Sequence, residues 1–347
     1  MPRLRRADCS VPGFTRRRRG RGFVYEDPQR TRIDDPETLQ RIKDLAIPPA
    51  WTDVWICPDP LGHLQAVGTD AAGRKQYRYH PQWRIRRDQQ KFDRMLEFAR
   101  ALPRLREVTA GHLSGEGLTR ERVLACAVRL LDRGFFRVGS EAYADENGSY
   151  GLATMLCSHV RVVGDAIEFD YPAKGGKRHI HAVVDLEVRD VVAALKRRRG
   201  DPQLLAWRQG RRWIDVRSED INGYIKEVAG AEFTAKDFRT WHGTVKAALA
   251  LAVAAPAAKS RTAAKRAIVW AVKDVARYLA NTPAVCRASY IDPRVFDRYR
   301  AGVTISGVLG ELGADALEEP ALQGRIEEAV VDLIEGEMDS DALERVA

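Results

Sequence analysis

Phe233-Thr234-Ala235-Lys236-Asp237-Phe238-Arg239-Thr240-Trp241-His242-Gly243-Thr244 is the stretch on which the reading of this chain turns. It opens a helix: from Asp237 the chain turns Ala-rich and runs to about Ala255, where Pro256 stops it. Arg239 stands beside Lys236 and Asp237, where a charge is usually half of a surface pair. A second helix follows from Lys259 to Leu279. Asn281-Thr282-Pro283 then breaks the chain and restarts it, with Thr282 as N-cap and Pro283 at the first helical position. Tyr290 falls near the end of that short helix, where tyrosine normally packs.

Working back from this stretch, the pattern changes period. Val160 and Val162 alternate, Gly164-Asp165 turns the chain, and Ile167, Phe169 and Tyr171 alternate again. Ala173-Lys174-Gly175-Gly176 is a tight turn, and His179 to Val184 returns, which makes a three-stranded meander with Lys174 at its tip. Further upstream, Thr119 caps a helix through Leu131, and Phe92, Leu96 and Ala99 recur at helical spacing. The first quarter is mostly β. Val54–Cys57 and His63–Gly68 form a hairpin around Pro58–Gly62, Lys75–Tyr79 follows a turn at Asp70–Gly73, and one helix is expected near 36–45. The expected fold is α+β. A loose basic arm (1–21) precedes a small mostly β domain (22–86), then a larger mainly α domain holding the meander (87–306), then an acidic helical tail (307–347).

Charge narrows the function. Residues 301–347 hold twelve acids and two bases, so the overall +9 conceals a body of +19 against a tail of −10. A body that basic points to a polyanion, and nucleic acid is the commonest. Five cysteines without a CxxC pair make neither a disulfide framework nor a zinc site and fit a reducing cytosol. His179 and His181 alternate on one strand but lack a third ligand, so no metal is expected. No apolar run is long enough to span a membrane. There is no GxxxxGK[ST] phosphate loop and no acidic cluster of the two-metal type, so neither ATP nor another cofactor is expected.

The segment 233–244 resembles the signature of type IB DNA topoisomerases, whose catalytic domain is shared with tyrosine recombinases. Arg133–Gly139, the Lys174 hairpin and Leu279–Ile291 extend the resemblance, and Arg74–His80 resembles the DNA-contacting segment of the small bacterial and poxvirus form. The matches run from about Val24 to Arg300. The resemblance implies a catalytic set of Arg137, Lys174, Arg239, Asn281 and Tyr290. Asn281 stands where poxvirus and eukaryotic members carry histidine. Tyr290 is implied to form a 3′-phosphotyrosyl bond that the freed 5′-hydroxyl later reverses, without ATP.

The residue types suit that chemistry. A phosphodiester under attack gains negative charge, and arginine offers a rigid fork of donors for it. Arg137 and Arg239 are placed to clamp two oxygens, Asn281 to add an amide donor, and Lys174 to give the leaving oxygen a proton. No residue stands out as the base for Tyr290. Gln76, Tyr77 and Tyr79 are read as groove contacts, with Tyr143 facing DNA as well. Arg74, Lys75 and the cluster Lys259, Arg261, Lys265 and Arg266 are read as phosphate contacts. The expected partner is duplex DNA, preferably supercoiled, clamped by a monomer hinged at 80–90 in a cytoplasmic, nucleoid-associated setting. Two readings compete. A tyrosine recombinase typically shows His-x-x-Arg where this chain has Lys236-Asp237-Phe238-Arg239, and a basic architectural protein would have no use for the catalytic set.

Overall fold

The computed structural model describes residues 3–134, 136–199, 202–230, 232–257, 260–310, 320–337 and 339–345; the side chains of 142, 143, 145, 310 and 320–322 also lie outside the description. The chain divides into two compact units, 1–93 and 94–347.

The first unit is a five-stranded antiparallel sheet and one helix. Strands β1 (Phe14–Arg19), β2 (Gly22–Glu26), β3 (Thr52–Ile56), β4 (Leu64–Thr69) and β5 (Lys75–Tyr79) lie in the order β2-β1-β3-β4-β5. Helix α1 (Pro36–Asp44) starts at the Asp35 cap, whose carboxylate accepts the Thr38 amide at 2.8 Å. The core gathers Ile42, Val54, Ile56 and Ala66, with Phe14, Tyr25 and Trp51 packed against it.

One expectation fails in this unit. Residues 14–19, read as part of a loose arm, form a full strand. Four consecutive arginines fold because alternation sends them to different partners. Arg16 lies over the Phe23 ring at 4.2 Å and donates to the carbonyls of Ile47, Pro48 and Trp51. Arg17 pairs with Glu26, while Arg18 and Arg19 stay in water. The expected hinge at 80–90 is also helix: it forms the first turns of α2 (Pro81–Leu113). Pro81 supplies the start, and the Arg, Gln and Lys that follow are good helix formers.

The second unit continues with α3 (Arg120–Gly134), α4 (Glu141–Asn147), the meander β6 (Val160–Val163), β7 (Ala166–Ala173) and β8 (Lys177–Val184), and α5 (Leu186–Leu195). A hairpin of β9 (Ala206–Gln209) and β10 (Arg212–Asp215) follows, turning at Gly210. Then come α6 (Ser218–Ala229), α7 (Ala235–Ala254), α8 (Arg261–Tyr278), α9 (Pro283–Ser289), α10 (Pro293–Arg300), β11 (Val303–Thr304), α11 (Ser306–Gly310), α12 (Pro320–Glu335) and β12 (Glu344–Arg345). The β9–β10 hairpin was not foreseen, because arginines interrupt its apolar alternation. Among the described residues no helix is long and apolar enough to cross a membrane.

A buried polar network ties this unit together. The Arg106 guanidinium holds Asp132 through two bonds of 2.8 and 3.0 Å and Glu327 through two of 2.6 and 2.9 Å. Trp241 Nε1 donates to Glu327 at 3.1 Å, and His242 Nε2 bonds Asp132 at 3.1 Å. Four helices, α2, α3, α7 and α12, therefore meet in one network. Arg106 and His242 hold the Asp132 carboxyl well below the usual carboxylate range despite its burial. The acidic tail is thus no simple appendage: α12 supplies Glu327 to the interior.

Candidate active site

Most residues of the 233–244 stretch have a visible structural task. Phe233 and Phe238 both pack edge-on against Phe98, at 5.5 and 4.9 Å between centroids. Asp237 closes the start of α7 by accepting the Thr234 amide at 2.8 Å. Trp241 and His242 enter the buried network. Thr244 Oγ1 accepts the Asp292 amide at 3.1 Å and lies 3.4 Å from the Tyr290 carbonyl. Gly243 leaves no room for a side chain, since a Cβ there would sit 2.6 Å from that same carbonyl. The stretch therefore fixes the backbone of Tyr290 as well as presenting Arg239.

Arg239 lies one turn before Gly243 on α7. It is 5% exposed, and Nη2 donates to the Leu279 carbonyl at 2.7 Å. Its guanidinium carbon lies 5.3 Å from the centre of the Tyr290 ring. Burial and the charge of Arg137 pull the Arg239 pKa below arginine's ordinary value, and Tyr290 opposes the fall. Arg137 follows α3, and its Nη2 donates to the Ala280 carbonyl at 3.0 Å and to Asn281 Oδ1. Its own carbonyl accepts the Leu152 amide at 2.8 Å, which pins the loop.

Both guanidiniums thus rest on the C-terminal end of α8, where the carbonyl ends of the helix favour cations. That end is built as a six-to-one closure. Asn281 N donates to the Ala276 carbonyl at 3.0 Å, and Ala280 takes a left-handed φ of 48°. Glycine is the usual residue at such a stop, so Ala280 holds local strain. The closure fixes Asn281, whose Nδ2 is buried with no hydrogen-bond partner among the described residues.

Lys174 sits in the three-residue connection between β7 and β8. Gly175 and Gly176 take φ of 83° and 71°, which a side chain would resist. Behind the arginines, the same hairpin presents Tyr171 and His179 as a cross-strand pair. Burial pushes the Tyr171 phenol up to about 12, with Arg239 and Arg137 opposing the shift. Burial, then His181, Arg239 and Arg137, lowers the His179 pKa and favours its neutral form.

These pieces converge. Arg137, Lys174, Arg239, Asn281 and Tyr290 line one cavity of about 500 Å³. Lys236, passed over in the sequence as a surface charge, lines it too, as do Ser140, Ser149 and Tyr150. Its signal was present: Lys236 lies three residues before Arg239, so both reach one side of α7. The expected DNA-contacting residues are more scattered. Tyr77 and Tyr79 share an exposed face of β5 with Lys75, their rings 6.1 Å apart. Gln76 falls on the other face and donates to Asp70 at 2.9 Å, and Arg74 pairs with the same carboxylate. The strand period of two separates Gln76 from the tyrosines with which it was grouped. Arg261, Lys265 and Arg266 are exposed on α8. Lys259 and the Tyr143 side chain lie outside the described residues. Among the described residues, no three His, Cys, Asp or Glu gather as metal ligands.

A cavity lined by guanidinium, ammonium, amide and phenol groups, on a helical unit that holds a three-stranded meander, suits a phosphodiester. Comparison with known proteins agrees. The family described as eukaryotic DNA topoisomerase I, catalytic core, matches residues 80–318, and that described as bacterial DNA topoisomerase IB, N-terminal domain, matches residues 22–70. The DNA topoisomerase 1B of Acanthamoeba polyphaga mimivirus is 31% identical over 296 residues, covering 84% of this chain and 88% of that protein. The chain belongs to the type IB DNA topoisomerase family, which favours that reading over a recombinase or an architectural protein.

Proposed function

We propose that this enzyme relaxes supercoiled duplex DNA by cutting one strand at the cavity, with Tyr290 as the nucleophile. The Tyr290 phenol gives up its proton to water as its oxygen attacks phosphorus, and the bond to the 5′-oxygen breaks, leaving a 3′-phosphotyrosyl bond and a free 5′-hydroxyl. Arg137 and Arg239 take up the charge on the nonbridging oxygens. Asn281 adds its unpartnered amide, and Lys174 passes a proton to the departing oxygen. Religation runs the same steps backwards. The phosphotyrosyl bond retains the energy of the broken diester, so no ATP is consumed.

The observation that carries this reading is the convergence of five side chains from four separate stretches on one cavity. All five come from a single chain, which supports action as a monomer. Lys75, Tyr77 and Tyr79 on the sheet unit are assigned to the duplex, and Arg261, Lys265 and Arg266 to its phosphates. Five free cysteines, four of them buried, suit a reducing cytoplasm where the nucleoid is the substrate. Supercoiled plasmid incubated with the protein in EDTA, without ATP, should be converted to relaxed topoisomers. Plasmid that stays fully supercoiled overturns the reading.

A further inference from the structure

The outer face of α8 is not used by the cavity. Thr262, Lys265, Arg266, Val269, Trp270 and Lys273 recur at i, i+3, i+4, i+7, i+8 and i+11, the spacing of one helix face. Together they line a second concave surface of about 400 Å³. Trp270 is 54% exposed and Val269 51%. Lys265, Arg266 and Lys273 are exposed around them and pair with no carboxylate among the described residues. Asp274, the acid of this helix, is already engaged, by Lys246 at 3.2 Å and Arg277 at 2.7 Å.

Three unpaired cations around an exposed indole fit a ligand with both a polyanionic and an apolar part. The sugar-phosphate backbone has both: phosphates for the cations, and deoxyribose for the ring. Position supports the match. The C-terminal end of α8 receives Arg137 and Arg239, so the helix ends at the cavity and its earlier turns lie progressively farther from it. Its 18 residues span about 27 Å at ~1.5 Å each, or about eight base pairs of duplex.

We propose that this face of α8 is a second DNA contact, holding the backbone of the duplex that flanks the cleaved phosphate. Lys265, Arg266 and Lys273 neutralise phosphates, and the Trp270 ring packs on deoxyribose while its N–H serves a phosphate oxygen. The inference rests on the cavity acting on duplex DNA, and adds Trp270, Lys273 and a length of flanking duplex to that reading.

The test uses duplex DNA of about 30 base pairs and the full-length protein. Binding is followed by anisotropy between roughly 50 and 200 mM salt. Each phosphate contact contributes about one unit to the slope of log K against log salt, so the triple variant Lys265→Ala/Arg266→Ala/Lys273→Ala should lose about three units. Trp270→Ala should weaken binding by roughly fivefold to tenfold with its slope unchanged. Hydroxyl-radical protection should shorten by several base pairs on one side of the cleaved phosphate in the triple variant. All four side chains are exposed, so the variants should melt with the parent. An unchanged slope and footprint overturn the contact, and so does binding of an acidic protein to this face in place of DNA. Loss of slope in a protein whose parent forms no covalent adduct would uphold the contact and overturn the catalytic reading instead.

Discussion

Replacing Arg239 by alanine is expected to slow single-turnover DNA cleavage by about two to three orders of magnitude, the usual cost of removing one preorganised donor from a charged transition state. Arg239 is buried, anchored on the Leu279 carbonyl, and set beside the Tyr290 ring. Its position is therefore fixed before DNA arrives, and little reorganisation is needed as charge develops on the phosphate. Arg239→Lys should recover only part of the loss, because an ammonium keeps the charge but not the planar fork. DNA affinity should fall far less than the cleavage rate, since many phosphates contribute to binding and only one reacts. A loss below about tenfold in the alanine variant would contradict the assignment.

Arg106→Ala should have the largest effect on stability. It leaves Asp132 and Glu327 facing each other in the interior, where removing one partner of a buried pair costs about 3–5 kcal/mol. Urea or thermal unfolding should register that loss, and cleavage should fall with it as α7 loses its anchors at Trp241 and His242. The pH dependence has a definite sign. The Asp132 carboxyl is held below its unfolded value, near 3.9, so its contribution is complete above about pH 4 and is lost as pH falls below that towards the native value. The parent should therefore destabilise more steeply in acid than Arg106→Ala. Equal stability of the two proteins at neutral pH would show that the network holds nothing together.

Much of the helical unit was legible in the sequence because its signals are local. Thr282 and Pro283 mark the start of α9 where the structure has it, and Thr282 Oγ1 accepts the Val285 amide at 3.3 Å. The meander was readable from strict alternation, and its tip from two glycines that both take positive φ. What stayed hidden depended on partners far away in the chain. Arg16 looks like one of four solvated arginines until the carbonyls of Ile47, Pro48 and Trp51 are known. Glu327 looks like tail acidity until Arg106 and Trp241 are seen to hold it. The gathering of Arg137, Arg239 and Asn281 on the end of α8 rests on contacts across 40 or more residues, which only a family resemblance could suggest beforehand. Gln76 was grouped with Tyr77 and Tyr79, whereas the strand period puts it on the other face of β5.

The central claim is that Tyr290 becomes covalently joined to DNA. The most direct measurement is to stop the reaction with detergent, digest the trapped protein–DNA complex with protease and nuclease, and locate the residual nucleotide by mass spectrometry. A nucleotide joined through its 3′-phosphate to the peptide containing Tyr290, and absent from Tyr290→Phe protein that still binds DNA, is the predicted result. A nucleotide on any of the other nine tyrosines, or an adduct that persists in Tyr290→Phe, would contradict it.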